Sequence, residues 1–258
     1  MDILTQIVDY KKTVISSAKN ILPISQMEIS GKSRGFLTNI QNTLNQNKTA
    51  IIAEIKKGSP SKGIITENFD VLHIAKAYEN GGATCISVLT DEKFFHGHNQ
   101  NIKIAKENCS LPILRKDFII DRYQIFESKH LGADAILLIA SILDGEQMAD
   151  LEHLAFSLGL DVLIETHTEK ELETVLKHTL TPLIGINNRN LKNFEISLQN
   201  TINLIKLIPH NKIPICESGI ETKEDIKLMQ NHNCNTFLIG TSIMKQEKKA
   251  EFIQKLLQ

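Results

Sequence analysis

Eight short apolar runs, rich in β-branched residues, recur along this chain with a segment of helical period after each. They fall at 50–55, 84–89, 112–114, 135–139, 161–164, 183–186, 213–216 and 236–239. The runs are nearly continuous in apolar character rather than alternating. That pattern belongs to strands buried on both faces, in a parallel sheet covered by helices. The intervening segments carry one-sided stripes: in 69–80, Val71, Ile74, Ala75 and Tyr78 share a face. The segments 169–177, 222–230 and 246–257 read the same way. Gly81, Gly132 and Gly159 stand where left-handed caps end such helices. Eight repeats favour a closed (β/α)8 barrel over an open doubly wound sheet, which has about five or six strands. The chain is therefore read as one barrel domain over 1–258, with 1–48 as an N-terminal helical extension. In that extension Asp2 caps a helix running to Lys19, Pro23 breaks it, and a second helix covers 34–45.

Bulk properties exclude several classes. A formal net charge of -1 supplies no attraction to nucleic acid or to an anionic membrane. No apolar run has the length of a membrane span, and the first residues lack signal-peptide form. Cys85, Cys109, Cys216 and Cys234 are scattered, with no C-x-x-C pair, which points to reduced thiols in the cytoplasm.

Active sites of such barrels lie at the C-terminal ends of the strands. Polar residues collect there: Glu54 and Lys56 after the first run, Arg115, Lys116 and Asp117 after the third, and Glu165, Thr166 and His167 after the fifth. The later runs end in Asn187, Asn188 and Arg189, in Glu217, Ser218 and Gly219, and in Gly240, Thr241 and Ser242. Glu54 and Lys56 are two apart and point to the same side of a strand. The loop after them, with Ser59, Pro60 and Ser61, offers small donors to an anionic ligand. Glycines after the seventh and eighth strands stand where barrels of this kind hold phosphate, since backbone N–H groups approach closely and a helix N-terminus adds a favourable dipole.

The segments Ile-Ile-Ala-Glu-Ile-Lys-Lys-Gly-Ser-Pro-Ser-Lys-Gly (51–63), Ser-Val-Leu-Thr-Asp-Glu-Lys-Phe-Phe-His-Gly (87–97) and Leu-Pro-Ile-Leu-Arg-Lys-Asp-Phe-Ile-Ile-Asp (111–121) carry a resemblance. So do Gly-Ala-Asp-Ala-Ile-Leu-Leu-Ile (132–139), Ile-Gly-Ile-Asn-Asn-Arg-Asn-Leu (184–191), Glu-Ser-Gly-Ile (217–220) and Leu-Ile-Gly-Thr-Ser-Ile-Met (238–244). Together, and in this order, they resemble the indole-3-glycerol-phosphate synthase family of tryptophan biosynthesis. The resemblance implies ring closure, decarboxylation and dehydration of 1-(2-carboxyphenylamino)-1-deoxyribulose 5-phosphate, a small-molecule substrate. It implies Lys116 as the acid at the ketone oxygen. Glu165 and Glu54 are the matching carboxylates and Lys56 a further acid or anion clamp, with the division of the dehydration roles left open. Ser59, Asn187, Arg189, Glu217 and Ser218 match substrate-positioning residues. Gly219, Gly240 and Thr241 match the phosphate cradle, where Thr241 replaces the commoner Ser. Phe94, Phe95 and Phe118 are candidates for the wall against the anthranilate ring. His167 receives no role and is read as a loop residue. No metal and no cofactor is expected, and the protein is read as a monomer.

Three other readings meet obstacles in the residues. Phosphoribosylanthranilate isomerase, another phosphate-binding barrel, needs a Cys or Asp base on the first strand, where this chain has Glu54 and Lys56. A non-catalytic barrel that binds phosphorylated metabolites has no use for Lys116 and Glu165 together. A metal hydrolase could use His96 and His98, but no His or Asp partners stand at strand ends four, five or six. The expected chemistry makes kcat/KM fall at both pH extremes, with a basic limb that follows Lys116.

Overall fold

Alternate residues of a strand face opposite sides, and here that rule sorts oily residues into two cores. The computed structural model describes residues 3–190 and 194–258. Its strands are β1 (Ala50–Ile55), β2 (Cys85–Leu89), β3 (Ile113–Lys116), β4 (Ala135–Ile139), β5 (Asp161–Thr166), β6 (Leu183–Asn187), β7 (Ile213–Glu217) and β8 (Thr236–Ile239). Each pairs in parallel with its neighbours, and β8 pairs with β1 to close the barrel. On β1, Ile51, Ala53 and Ile55 face outward and pack beneath Val71, Ile74, Ala75 and Tyr78 of the first crossover helix, Val71–Gly81. Ala50 and Ile52 face inward, into a core shared with Leu114, Leu137, Leu163, Leu183, Ile215 and Leu238.

The same alternation carries polar residues to the top of the barrel interior. Two positions above Ile52 stands Glu54; two above Leu114 stands Lys116. Glu165, Asn187 and Glu217 follow Leu163, Gly185 and Ile215 in the same way. The third, fifth, sixth and seventh strands therefore extend beyond 112–114, 161–164, 183–186 and 213–216. Residues that look like loop beginnings are the last rung of each strand. Arg115, between Leu114 and Lys116, faces outward, where its guanidinium meets Glu127 at 2.6 Å, Asn99 at 3.0 Å and Asp117 at 3.3 Å. It does not enter the barrel mouth.

Two local expectations are corrected. The helix over 69–80 ends with Gly81 itself in helical conformation, where a Cβ would crowd Ala250 and Ile253; the left-handed cap is Gly82, at φ 86°. Gly132 and Gly159 are left-handed, at φ 87° and φ 71°. The last helix spans Lys249–Leu257, after a separate short helix Thr241–Met244. The Asp2 cap lies outside the described residues.

The N-terminal segment closes the barrel at both ends. Helix α1 (Ile3–Ile21) lies across the top: Ile3, Leu4 and Ile7 reach the mouth, and Lys11 is buried in ion pairs with Asp91 at 2.9 Å and Asp117 at 2.7 Å. Helix α2 (Phe36–Asn45) plugs the bottom with Phe36 and Ile40, both fully buried beside Ala50, Cys85 and Ala135. The small bottom-layer residues leave the room that the Phe36 ring fills. The approach is pinned by Arg34, whose guanidinium donates to the carbonyls of Lys106, Cys109 and Leu111 at 2.7, 2.7 and 3.1 Å. Removing the plug should leave a cavity at the bottom and leave the mouth intact. Phe36→Ala is expected to cost about 3–5 kcal/mol in urea unfolding, with kcat/KM nearly unchanged at a temperature where the variant is folded. A loss within about 0.5 kcal/mol, typical of surface substitutions, would refute the plug.

Candidate active site

Lys116 is the centre of the barrel mouth. Its ammonium lies 2.7 Å from Glu217 Oε2 and 3.1 Å from Glu165 Oε2. All three side chains come from the interior-facing last rungs of β3, β5 and β7. Burial opposes the charge on Lys116, but Glu217, Glu165 and Glu54 outweigh it and hold the amine protonated well above its usual range. The two carboxylates respond oppositely. Burial works against ionising Glu165, yet Lys116 and then His167 hold its carboxyl low. Burial pushes Glu217 up to about 8, helped by the charge of Glu165 and only partly opposed by Lys116. The opposite directions favour one carboxylate, Glu165, and one carboxylic acid, Glu217, beside the ammonium. Glu217 Oε1 is buried and meets no hydrogen-bond partner among the described residues.

A second charged pair stands beside this set: Lys56 Nζ lies 2.6 Å from Glu54 Oε1. Both sets occupy room that a glycine on the neighbouring strand or just after it leaves open. A Cβ on Gly240, after β8, would meet Glu54 Oε1 and come within 3.1 Å of Lys56 Nζ. A Cβ on Gly185, on β6 between β5 and β7, would collide with Glu217 Oε1. Gly240 was legible as a phosphate-cradle candidate; its steric duty to Glu54 was not.

The cleft lining includes Glu54, Lys56, Ser59, Lys116, Phe118, Glu165, Asn187, Arg189, Glu217, Ser218, Gly219, Gly240 and Thr241. Phe94 is absent from it and is a correction: its ring turns to α1, edge-on to Tyr10 with centroids 5.9 Å apart. The neighbouring Phe95 faces the cleft and meets Phe118 at 5.8 Å. The short helix Glu92–Phe95 turns successive residues about 100° apart, so only one of the two phenylalanines points inward. The loop after β1 is a small hairpin, Gly58–Ser59 against Gly63–Ile64. Arg189 reaches across to it, with Nη1 3.4 Å from Ser61 Oγ. Burial, Lys245 and Arg189 lower the pKa of Lys62, which marks a cation-rich rim. Ser218 and Gly219 take successive left-handed conformations, at φ 66° and φ 91°. Asn188 holds this turn: its amide donates to the carbonyls of Glu217 and Ser218, and its oxygen accepts from Thr201. Asn188 thus acts as a buried brace rather than a cleft residue.

Several cleft residues escaped the sequence reading. Ile3, Leu4 and Ile7 form a helical stripe legible in α1, but nothing in the chain says what such a stripe covers. Gly185 gave no signal, since its value lies in a contact with another strand. Among the described residues no group of three or more His, Cys, Asp or Glu is placed to hold a metal ion. His98 lies 3.5 Å from Glu92, on the surface.

A family model described as indole-3-glycerol phosphate synthase matches residues 4–256. The chain belongs to the indole-3-glycerol phosphate synthase family. An indole-3-glycerol phosphate synthase from Legionella pneumophila (strain Lens) is 49% identical over 257 residues, covering 99% of this chain and 98% of that one. The synthase of Bordetella pertussis is 46% identical over 248 residues, covering 95% and 94%. Among solved structures, tryptophan synthase subunit alpha from Legionella pneumophila has a TM-score of 0.62 at 12% identity, over 88% of this chain and 97% of that chain. Thiamine phosphate pyrophosphorylase from Pyrococcus furiosus has 0.58 at 11%, over 82% and 95%. At such identities these two report the barrel alone. Family membership sets aside the isomerase reading of this synthase-family chain.

The glycine at β6 supplies a test. Gly185→Ala should displace the Glu217 carboxylate and reduce kcat/KM by about a hundredfold, the scale of a misplaced catalytic geometry. Circular dichroism should be unchanged. Full activity in the folded variant would show that Glu217 has room elsewhere.

Proposed function

We propose that the set around Lys116 carries the acid–base steps of indole-3-glycerol-phosphate synthesis. The substrate is 1-(2-carboxyphenylamino)-1-deoxyribulose 5-phosphate. Its aromatic ring attacks its own ketone carbon, and the ketone oxygen takes up a proton. Carbon dioxide leaves, and loss of the new hydroxyl as water gives indole-3-glycerol phosphate.

The observation that carries the reading is the buried ammonium of Lys116 among Glu165, Glu217 and Glu54. A proton donor at the ketone oxygen must be charged before the ring closes, and those carboxylates keep Lys116 charged. Glu165, held ionised, suits the base of the dehydration. Glu217, protonated at neutral pH, suits a hydrogen-bond donor to the substrate. Glu54 and Lys56, paired at 2.6 Å, are a second acid–base couple for the departing water. Gly219, Gly240 and Thr241 are read as the phosphate cradle, with Arg189 and the cationic rim drawing the phosphate in. Phe118 and Phe95 form the aromatic wall, with Ser59, Asn187 and Ser218 as positioning residues.

Two finer readings accompany this one: action as a monomer, and in the cytoplasm. The second is supported by four cysteines that are all free and buried. No described helix is long and apolar enough to cross a membrane.

Lys116→Met tests the assignment directly. Single-turnover rates should fall by about a hundredfold to ten-thousandfold, with substrate affinity within about tenfold. A variant that keeps most of its activity overturns the role.

The pH profile tests the carboxylates. The carboxylates around Lys116 favour its charge well past its usual range, so this reading moves the basic limb from Lys116, where the residue types put it, to Glu217. Glu217 loses its proton as pH rises through about 8 and then places a further negative charge beside Glu165. kcat/KM should fall there, and Glu217→Gln, which cannot titrate, should displace that limb. An unmoved limb assigns the fall to another group.

A further inference from the structure

His167 follows β5 as a loop residue, but its ring is turned inward and only 10% exposed. Nε2 lies 3.4 Å from Glu165 Oε1, and Nδ1 lies 3.4 Å from Glu171 Oε2. These are ion-pair distances, longer than hydrogen bonds, and both ring nitrogens are buried without a hydrogen-bond partner among the described residues. Glu171 is itself fixed, since Oε2 accepts the His167 backbone N–H at 2.7 Å. Asn200 secures the loop by donating to the carbonyls of His167 and Asn187 at 3.2 and 3.0 Å. The result is an unbroken row: Glu171, His167, Glu165, Lys116, Glu217.

Glu165 and Glu217 face one ammonium from two sides, and like charges so close share a proton. Lys116 touches both and, at 2.7 Å against 3.1 Å, by itself favours the charge on Glu217, so the preference for Glu165 must come from elsewhere. His167 is the asymmetric element, because among the described ion pairs it reaches Glu165, at 3.4 Å, and not Glu217. We propose that His167, charged through Glu171, is a positioning residue that assigns the shared proton to Glu217 and leaves Glu165 as the carboxylate. The charged and titratable groups around the imidazole are Glu165 on β5, Glu171 on the helix Glu169–His178 and Glu217 on β7, with Lys116 of β3 beyond Glu165; β6 and the helix Gln199–Leu204 contribute the neutral Asn187 and Asn200. Burial disfavours the imidazolium, but Glu171, Glu165 and Glu217 prevail and raise its pKa above the ordinary value.

This inference rests on the reading of Glu165 as the base, and its test separates the two. In His167→Gln the proton is no longer excluded from Glu165 until the pair loses it at higher pH. The ratio of variant to native kcat/KM should therefore be lowest near pH 6 and rise by about tenfold or more towards pH 9, the effect of losing one cation within ion-pair distance. The ratio cancels ionisation of the substrate phosphate. Glu171→Gln keeps the oxygen that accepts the backbone N–H and removes only charge, so it should act in the same direction and less strongly. A ratio independent of pH in both variants overturns the proposal, since a merely structural role scales the whole profile. Histidine NMR titration of the native protein and of Glu171→Gln supplies a readout free of turnover. His167 should titrate above the ordinary histidine range in the native protein and lower in the variant. Titration at or below that range in the native protein sinks the proposal even if His167→Gln does not fold. A protein that fails to turn over the substrate defeats the functional reading and leaves the NMR result to decide this one.

Discussion

One buried ammonium organises the mouth of this barrel. Lys116 meets Glu217 and Glu165 at 2.7 and 3.1 Å, and none of the three is stable there alone. An isolated charge so deeply buried would surrender its proton or take one up. Together they settle into a cation, an anion and a neutral acid, a distribution suited to chemistry that needs a donor and a base within one small volume. Strand geometry imposes the proximity. Each group is the last inward-facing residue of its strand, two positions beyond a residue of the inner core or, for Asn187, beyond Gly185. The apolar barrel interior is therefore the floor on which the charged set stands.

The two N-terminal helices make that floor and roof secure. Phe36 and Ile40 seal the end that does no chemistry, while α1 covers the working end. The roof is fastened by a lysine: Lys11 pairs with Asp117, the residue next to Lys116. Asp117 also accepts from Thr90 at 2.6 Å and meets Arg115 at 3.3 Å. Arg115 and Asp117, on either side of Lys116 in the chain, are thus locked into an ion network that runs beneath α1 and reaches the cleft only at Asp117. It holds the strand while Lys116 works on the other side.

The barrel itself was legible because eight apolar runs with helical segments between them admit few architectures. The ends of the strands were less so. Lys116, Glu165, Asn187 and Glu217 look like the start of loops, because a charged or amide residue ordinarily ends an apolar strand. They continue the ladder here because tertiary partners meet them. Most cleft residues were recoverable from type and position. Phe94 was not distinguishable from Phe95, since a single helical step decides which of two adjacent rings faces the cleft. His167 looked like an ordinary loop residue, since its significance lies in facing Glu165 and Glu171 at once. Gly185 was silent for the same reason: its role belongs to Glu217.

Gly185 and Gly240 carry a consequence for how such a site can change. Each carboxylate at issue occupies space that the adjoining strand has left vacant. The reactive groups are therefore specified partly by absences, and an absence has no chemical signature of its own. Moving this constellation to another barrel by grafting only its charged residues would fail wherever the recipient carries a methyl group at either vacancy. The vacancies would have to be transplanted first, and the charges could then follow.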